Sequence, residues 1–347
     1  MPEPSLTPKR RGRLLRIGAA LTVLLAVAGY LVVQYLTGGA GAPGCKVVSA
    51  DGHGASYEFT PEQAVNAATI AAVGTGRGMP ERAVTIALAT ALQESGLRNV
   101  GHGDRDSLGL FQQRPSQGWG APEQIMDPAY AAGVFYQHLA KVPDYAGLPL
   151  TVAAQRVQRS GFPEAYAKHE PDAALLSAAL TGRAGGALTC QGRPGAARAT
   201  GPDAVRAALV RDFGRQVLEQ TGAQAGGRAA GRPSPSGSAG AAGATGAAGA
   251  DGSAGADGRT VTLPVRSTAG ASGAKGGARG GDARQRGWQL AHWAVANASA
   301  LHIESVAFAG RQWSAGVFDG GWRPADGKNG DAAGGPGATS VRITAGR

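Results

Sequence analysis

From Ile17 to Leu36 the chain carries no charged side chain. At a helical rise of about 1.5 Å per residue such a run covers about 30 Å, the thickness of a bilayer core. Lys9, Arg10, Arg11, Arg13 and Arg16 stand before it. The pattern predicts a cytoplasmic basic tail over 1–16, a single transmembrane helix over 17–36 and an extracytoplasmic bulk, with Tyr30 and Tyr35 at the outer interface. The competing reading is a secreted product cut near Ala42, after the small residues Ala40-Gly41-Ala42. The apolar run exceeds the usual length of a signal-peptide core and Pro43 would follow the cut, so the anchor is preferred.

Past residue 60 the apolar period is helical. Thr60 and Pro61 open a helix that runs to Val73, and Gly74 to Gly78 end it. Pro80 opens a second, which carries Val84, Ile86, Leu88 and Leu92 with alanines between them. It is apolar nearly all round, the mark of a central buried helix. Asp127-Pro128 begins a third, in which Tyr130, Val134, Phe135, His138 and Leu139 recur at steps of three and four. Helices also fit Leu150 to Arg159, Pro163 to Leu180 and Pro202 to Gln220. The expectation for 45–221 is an all-α domain of about six helices with one long loop.

From Gly222 to Arg286 the composition collapses to Gly, Ala, Ser and Thr, which predicts a disordered linker over 222–286. Val261-Thr262-Leu263-Pro264-Val265 is an apolar island within it, readable as a transient strand. Order returns over 287–347: Leu290 to Leu301 reads as a helix, and Ser305 to Ala309 and Val341 to Thr344 alternate as strands, making a small α+β module. Four of the five tryptophans, Trp288, Trp293, Trp313 and Trp322, fall there, marking a packed core or a binding face.

Composition sharpens this division. With 57 glycines and an aromatic share of 5% among 347 residues, the whole length cannot form packed cores. The net charge of +10 includes the amino-terminal basic cluster. The remainder suits a solvated basic surface or the anionic polymers of a cell wall, and without a nucleic-acid-binding motif no nucleic-acid partner is expected. Cys45 and Cys190, the two cysteines, bracket the helical region. In an oxidising compartment they would pair and staple its ends; the alternative is two unrelated thiols. The six histidines show no metal-ligand spacing, so neither a metal nor a cofactor is expected.

The chemistry concentrates at Glu94, which closes the apolar helix. Desolvation favours the acid form of a carboxyl group, and an acid that is protonated near neutral pH can protonate a glycosidic oxygen. Fifteen positions on comes Gly109-Leu110-Phe111-Gln112. The Glu94-Ser95 pair, this turn and the preceding Gly103-Asp104-Arg105 step resemble goose-type lysozymes and soluble lytic transglycosylases, over roughly residues 60 to 185. The resemblance implies a lysozyme-like domain that cleaves the β-1,4 backbone of peptidoglycan with Glu94 as general acid. It implies a sugar cleft lined by Ser95, Gly109, Leu110, Phe111, Gln112 and Tyr166. Trp119 is a candidate for stacking on a sugar.

For an inverting hydrolase a second carboxylate is needed; Asp104 and Asp106 are the candidates, with loop turns as the plainer reading. The family's later Ala-Tyr-Asn step is here Ala153-Ala154-Gln155. The tail, in Leu290 to Ala298 and Gly310-Arg311-Gln312-Trp313, resembles a carboxy-terminal module of actinobacterial wall-associated proteins, without the histidines and aspartate of that module's usual ending. The expected partners are glycan strands, the cytoplasmic membrane and cell-wall machinery. The alternative to an enzyme is a non-catalytic wall-binding scaffold at the membrane.

Overall fold

The computed structural model describes residues 21–29, 44–50, 54–161, 163–191, 200–220, 258–265, 277–316, 321–325 and 340–346. The chain divides into two units, Met1–Ala42 and Pro43–Arg347. In the first, residues 21–29 form helix α1. Among the described residues no helix is long and apolar enough to cross a membrane, which overturns the expected transmembrane helix and single-pass topology. The rest of the 17–36 run and the basic tail lie outside the described residues.

The second unit mixes helices with two antiparallel sheets, which corrects the all-α expectation for 45–221. Strands β1 (Cys45–Val48), β2 (Ser56–Phe59) and β3 (Leu188–Cys190) form a sheet in the order β2-β1-β3. These strands have three or four residues, too few to display a period of two. β3 also pairs with a strand far away in sequence: Cys45 faces Cys190 across the β1–β3 ladder, and the two form a disulfide. Closing a loop of 145 residues contributes about 5 kcal/mol in the loop-entropy model.

Helices α2 (Pro61–Gly76) and α3 (Glu81–Ser95) fill the centre. Their faces are largely alanine, so the backbones approach closely. Gly74 of α2 leaves room for the ring of Tyr136, whose hydroxyl donates to the Ile70 carbonyl at 3.0 Å. Around them pack α4 (Pro122–Ile125), α5 (Pro128–Leu139), α6 (Leu150–Gln158), a 3-10 segment (Pro163–His169), α7 (Glu170–Leu180), α8 (Gly201–Phe213) and α9 (Gln216–Gln220). Asp127 caps α5 as its position predicts, accepting from the Ala129 amide at 2.9 Å. The helix expected from Pro202 to Gln220 breaks at Gly214, whose φ of 84° no L side chain adopts easily.

The second sheet has the order β4-β8-β5-β6-β7, built from β4 (Thr260–Pro264), β5 (Ile303–Phe308), β6 (Arg311–Ser314), β7 (Arg323–Pro324) and β8 (Ser340–Ala345). The apolar island at 261–265 is thus an edge strand in register with β8, Val261 opposite Ile343. Helices α10 (Gly277–Ala296) and α11 (Ala298–Leu301) complete this part. Of the span expected as a linker, 222–257 and 266–276 lie outside the described residues.

α10 lies against α2, α7, β3 and β5. The seam is polar but matched. The Trp293 indole donates to Asp212 Oδ2 at 2.8 Å, Gln289 to Thr75 Oγ1 at 2.6 Å, and the Trp313 and Trp322 indoles donate to the β3 carbonyls of Cys190 and Leu188 at 3.2 and 2.9 Å. Those indoles occupy the free edge of β3, which would otherwise expose unpaired carbonyls.

Candidate functional site

α3 holds Glu94 in its last turn. Gly96 takes the left-handed conformation at φ 62°, and the Leu97 amide reaches back to the Ala91 carbonyl at 3.1 Å, a closing motif that buries Leu97. α2 fixes this turn from the side. Gln63 accepts from the Thr60 amide at 2.8 Å and donates to the Gly96 carbonyl at 2.8 Å, while Asn66 donates to Leu97 O at 2.8 Å. One glutamine therefore starts α2 and finishes α3.

The turn over 109–112 is tied to the same point. Leu108 and Gln113 exchange backbone hydrogen bonds of 2.9 Å, pinching the turn at its base. Gly109 sits at φ 75°, where a Cβ would come within 2.7 Å of the Ile125 carbonyl, so this position requires glycine. Ser95 Oγ donates to the Leu110 carbonyl at 2.8 Å, joining the turn to the residue beside Glu94. From α6, Gln158 donates to the Phe111 carbonyl at 2.7 Å.

Glu94 is half-buried. The Tyr166 hydroxyl donates to its Oε1 at 2.7 Å. Burial raises its pKa; hydrogen bonds from Tyr166 and Gln158 pull the other way and burial prevails. Tyr166 is itself fully buried, and desolvation followed by the charge of Glu94 pushes its phenol far up, so it stays a donor. The result is a carboxyl group biased toward the acid form, with hydrogen bonds ready for the carboxylate left after proton release. That is the requirement of a general acid that must afterwards serve as a base.

The other predicted residues take different places. Leu110 and Phe111 are in the core, Phe111 stacked on Phe135 with ring centroids 4.7 Å apart; they shape the turn through their backbones. Gln112 is half-buried and turns its amide to the Gly109 carbonyl at 3.2 Å. Trp119 is buried and stacks on His138 at 4.3 Å. Asp106 spends both oxygens inside the loop: Oδ1 receives Arg114 Nε at 2.7 Å and Oδ2 the Ser116 amide at 2.9 Å. Bonds from Ser116, then from Arg114, hold its carboxyl well below the usual range. Asp104 is exposed.

Gln158, which reaches both Glu94 and the turn, was not among the residues picked from the sequence. It lies at the end of an ordinary amphipathic helix, and only its spacing from Leu150, Ala154 and Val157 on the buried face hints that it points inward. In the Ala153-Ala154-Gln155 step both alanines are buried, and Gln155 donates to the Ser160 carbonyl at 2.7 Å, shaping the bend that delivers Tyr166. Among the described residues no group of three His, Cys, Asp or Glu side chains could hold a metal.

Comparison with known families touches the other end of the chain. Residues 236–334 match a family model described as VldE, C-terminal domain. This is under a third of the chain; it does not include Glu94, and it stops short of β8. No curated protein matches the chain.

Proposed function

We propose that the domain around Glu94 cleaves the β-1,4 glycan backbone of peptidoglycan, with Glu94 as general acid. The carrying observation is the half-buried carboxyl group at the end of an apolar helix, hydrogen-bonded by Tyr166 and held beside the 109–112 turn. The resemblance of Glu94-Ser95 and of that turn to lysozyme-like enzymes supports the same reading, because Ser95 joins the two elements that carry it.

In the first step Glu94 gives its proton to the glycosidic oxygen as the bond to the anomeric carbon breaks. The resulting carboxylate is held by Tyr166 and Gln158. It then takes the proton of a hydroxyl on the same sugar as that hydroxyl closes on the anomeric carbon, leaving an anhydro end. This lytic course needs one carboxylate. An inverting hydrolase needs a second to activate water, and Asp106 is engaged by Arg114 and Ser116. The lytic course is therefore the favoured one.

The test is mass spectrometry of fragments released from purified peptidoglycan by the full chain, with Glu94→Gln beside it. Anhydro ends from the wild type alone support lytic cleavage. Reducing ends support hydrolysis and return Asp104 or Asp106 to the mechanism. Binding without release, equal in both proteins, would make the domain a wall-binding scaffold and sink the catalytic reading.

A further inference from the structure

A cavity of about 380 Å³ opens where α10 meets the loop after α7, far along the chain from Glu94. Arg183 lines it from the loop, Arg284 and Trp288 from α10, and Arg311 from β6. The volume lies in the range of small-molecule sites. The loop meets α10 through glycines. A Cβ on Gly182 would strike the Gln285 carbonyl, and one on Gly185 would come within 2.6 Å of the Trp288 indole nitrogen. Gly186 lies under the Arg311 guanidinium, where a Cβ would come within 3.2 Å. Trp288 forms a rigid floor: it is buried, meets Trp322 and Phe308 edge-on at 5.0 and 5.4 Å, and stacks on His292.

The charge in this cavity is unbalanced. Arg183 is paired with Glu81, Nη2 to Oε1 at 2.8 Å and Nε to Oε2 at 2.9 Å. Among the described residues Arg284 and Arg311 form no ion pair and no side-chain hydrogen bond. Two guanidinium charges thus remain on the cavity wall, and the planar fork of arginine suits the oxygens of a phosphate. A phosphate monoester carries between about one and a half and two negative charges at neutral pH, closer to this excess than the single charge of a carboxylate.

We infer that the seam cavity lined by Arg183, Arg284, Arg311 and Trp288 binds a phosphate-bearing small molecule through its guanidinium groups. The walls come from both sides of the seam, so such a ligand binds the assembled chain and stabilises it by mass action. The inference is independent of cleavage at Glu94.

Titration calorimetry of the full chain tests it, with inorganic phosphate, phenyl phosphate and acetate as probes. Phosphate and phenyl phosphate are expected to bind, with acetate at least tenfold weaker. Tighter binding of phenyl phosphate would point to an esterified ligand whose organic part also contacts the cavity wall, and equal binding to the free ion; either supports the site. Arg284→Ala with Arg311→Ala should weaken phosphate by about a hundredfold while the unliganded melting temperature holds, since both side chains are exposed. Glu81→Gln should tighten it by releasing Arg183, and Glu94→Gln should leave it unchanged. No binding at millimolar phosphate, equal binding of acetate, or phosphate affinity that survives loss of both arginines would overturn the inference.

Discussion

Glu94 and Asp212 are two carboxylates withdrawn from water in one molecule, and they are treated in opposite ways. Asp212 is 2% exposed and its oxygens are filled: Thr69 and Trp293 donate to Oδ2 at 3.2 and 2.8 Å, and Arg211 Nε meets Oδ1 at 2.7 Å. It joins α2, α8 and α10 as a charge-assisted knot. Among the described residues Glu94 has neutral donors alone and no cation beside it, and its pKa is raised by burial. A carboxylate whose negative charge is fully matched holds the fold, whereas one left short of partners is able to exchange a proton.

Isosteric substitution breaks this comparison most sharply. Glu94→Gln should lower fragment release by 10²–10⁴-fold, the range of general acid catalysis, read as released sugar ends per unit time. Its stability should move the other way. The folded-state pKa of Glu94 is raised, so the folded chain binds the proton more tightly and stability falls as pH rises from the unfolded value through the folded one. At pH 7 the glutamine variant should melt no lower than wild type, and any gain should vanish in acid. A lower melting temperature at pH 7 would make Glu94 a structural carboxylate.

Asp212→Ala should cost about 3–5 kcal/mol, because it leaves buried donors and the Arg211 charge without their partner; denaturant melts read the loss directly. Acid should strain the same seam through His292. Its Nδ1 lies 2.7 Å from the Ala179 carbonyl, its Nε2 is buried with no partner among the described residues, and burial lowers its pKa to about 4. The unfolded chain takes the proton first, so stability should fall by roughly 3 kcal/mol as pH drops from about 6.5 to about 4. His292→Phe should flatten that pH dependence. A slope identical in the variant would put the acid sensitivity elsewhere. Smallest is Tyr166→Phe, which removes one hydrogen bond to the Glu94 carboxylate. It should slow release by about tenfold, roughly one hydrogen bond to a charged group, and, because that bond lowers the Glu94 pKa, shift the alkaline limb of the pH profile upward.

The amino-acid order announces the helices around Glu94 clearly. Asp127 and Thr60 are caps with side chains that accept from the next turn, and the apolar run into Glu94 leaves α3 nowhere to go but the centre. The pairing of Cys45 with Cys190 was one of two open readings and is the one found. β1, β2 and β3 escaped because strands of three or four residues have no period to detect, and their register depends on contacts between the two ends of the domain. Tyr166 could be placed near the site only by resemblance. That its hydroxyl meets Glu94, and that Gln158 joins it, depends on the bend after α6. The apolar run over 17–36 misled in another way, since absence of charge alone does not make a membrane span: among the described residues no helix is long and apolar enough to cross a membrane.

The Cys45–Cys190 bond also changes the chain's topology. It converts everything between these residues into a covalent ring, and Glu94, the 109–112 turn, Gln158 and Tyr166 all lie on it. A single protease cut in the exposed 101–105 stretch would open the ring without producing two molecules. The piece bearing Glu94 and the piece bearing Tyr166 would stay tethered through sulfur, at the high mutual concentration that tethering provides. Nicked protein should therefore run as two bands only after reduction.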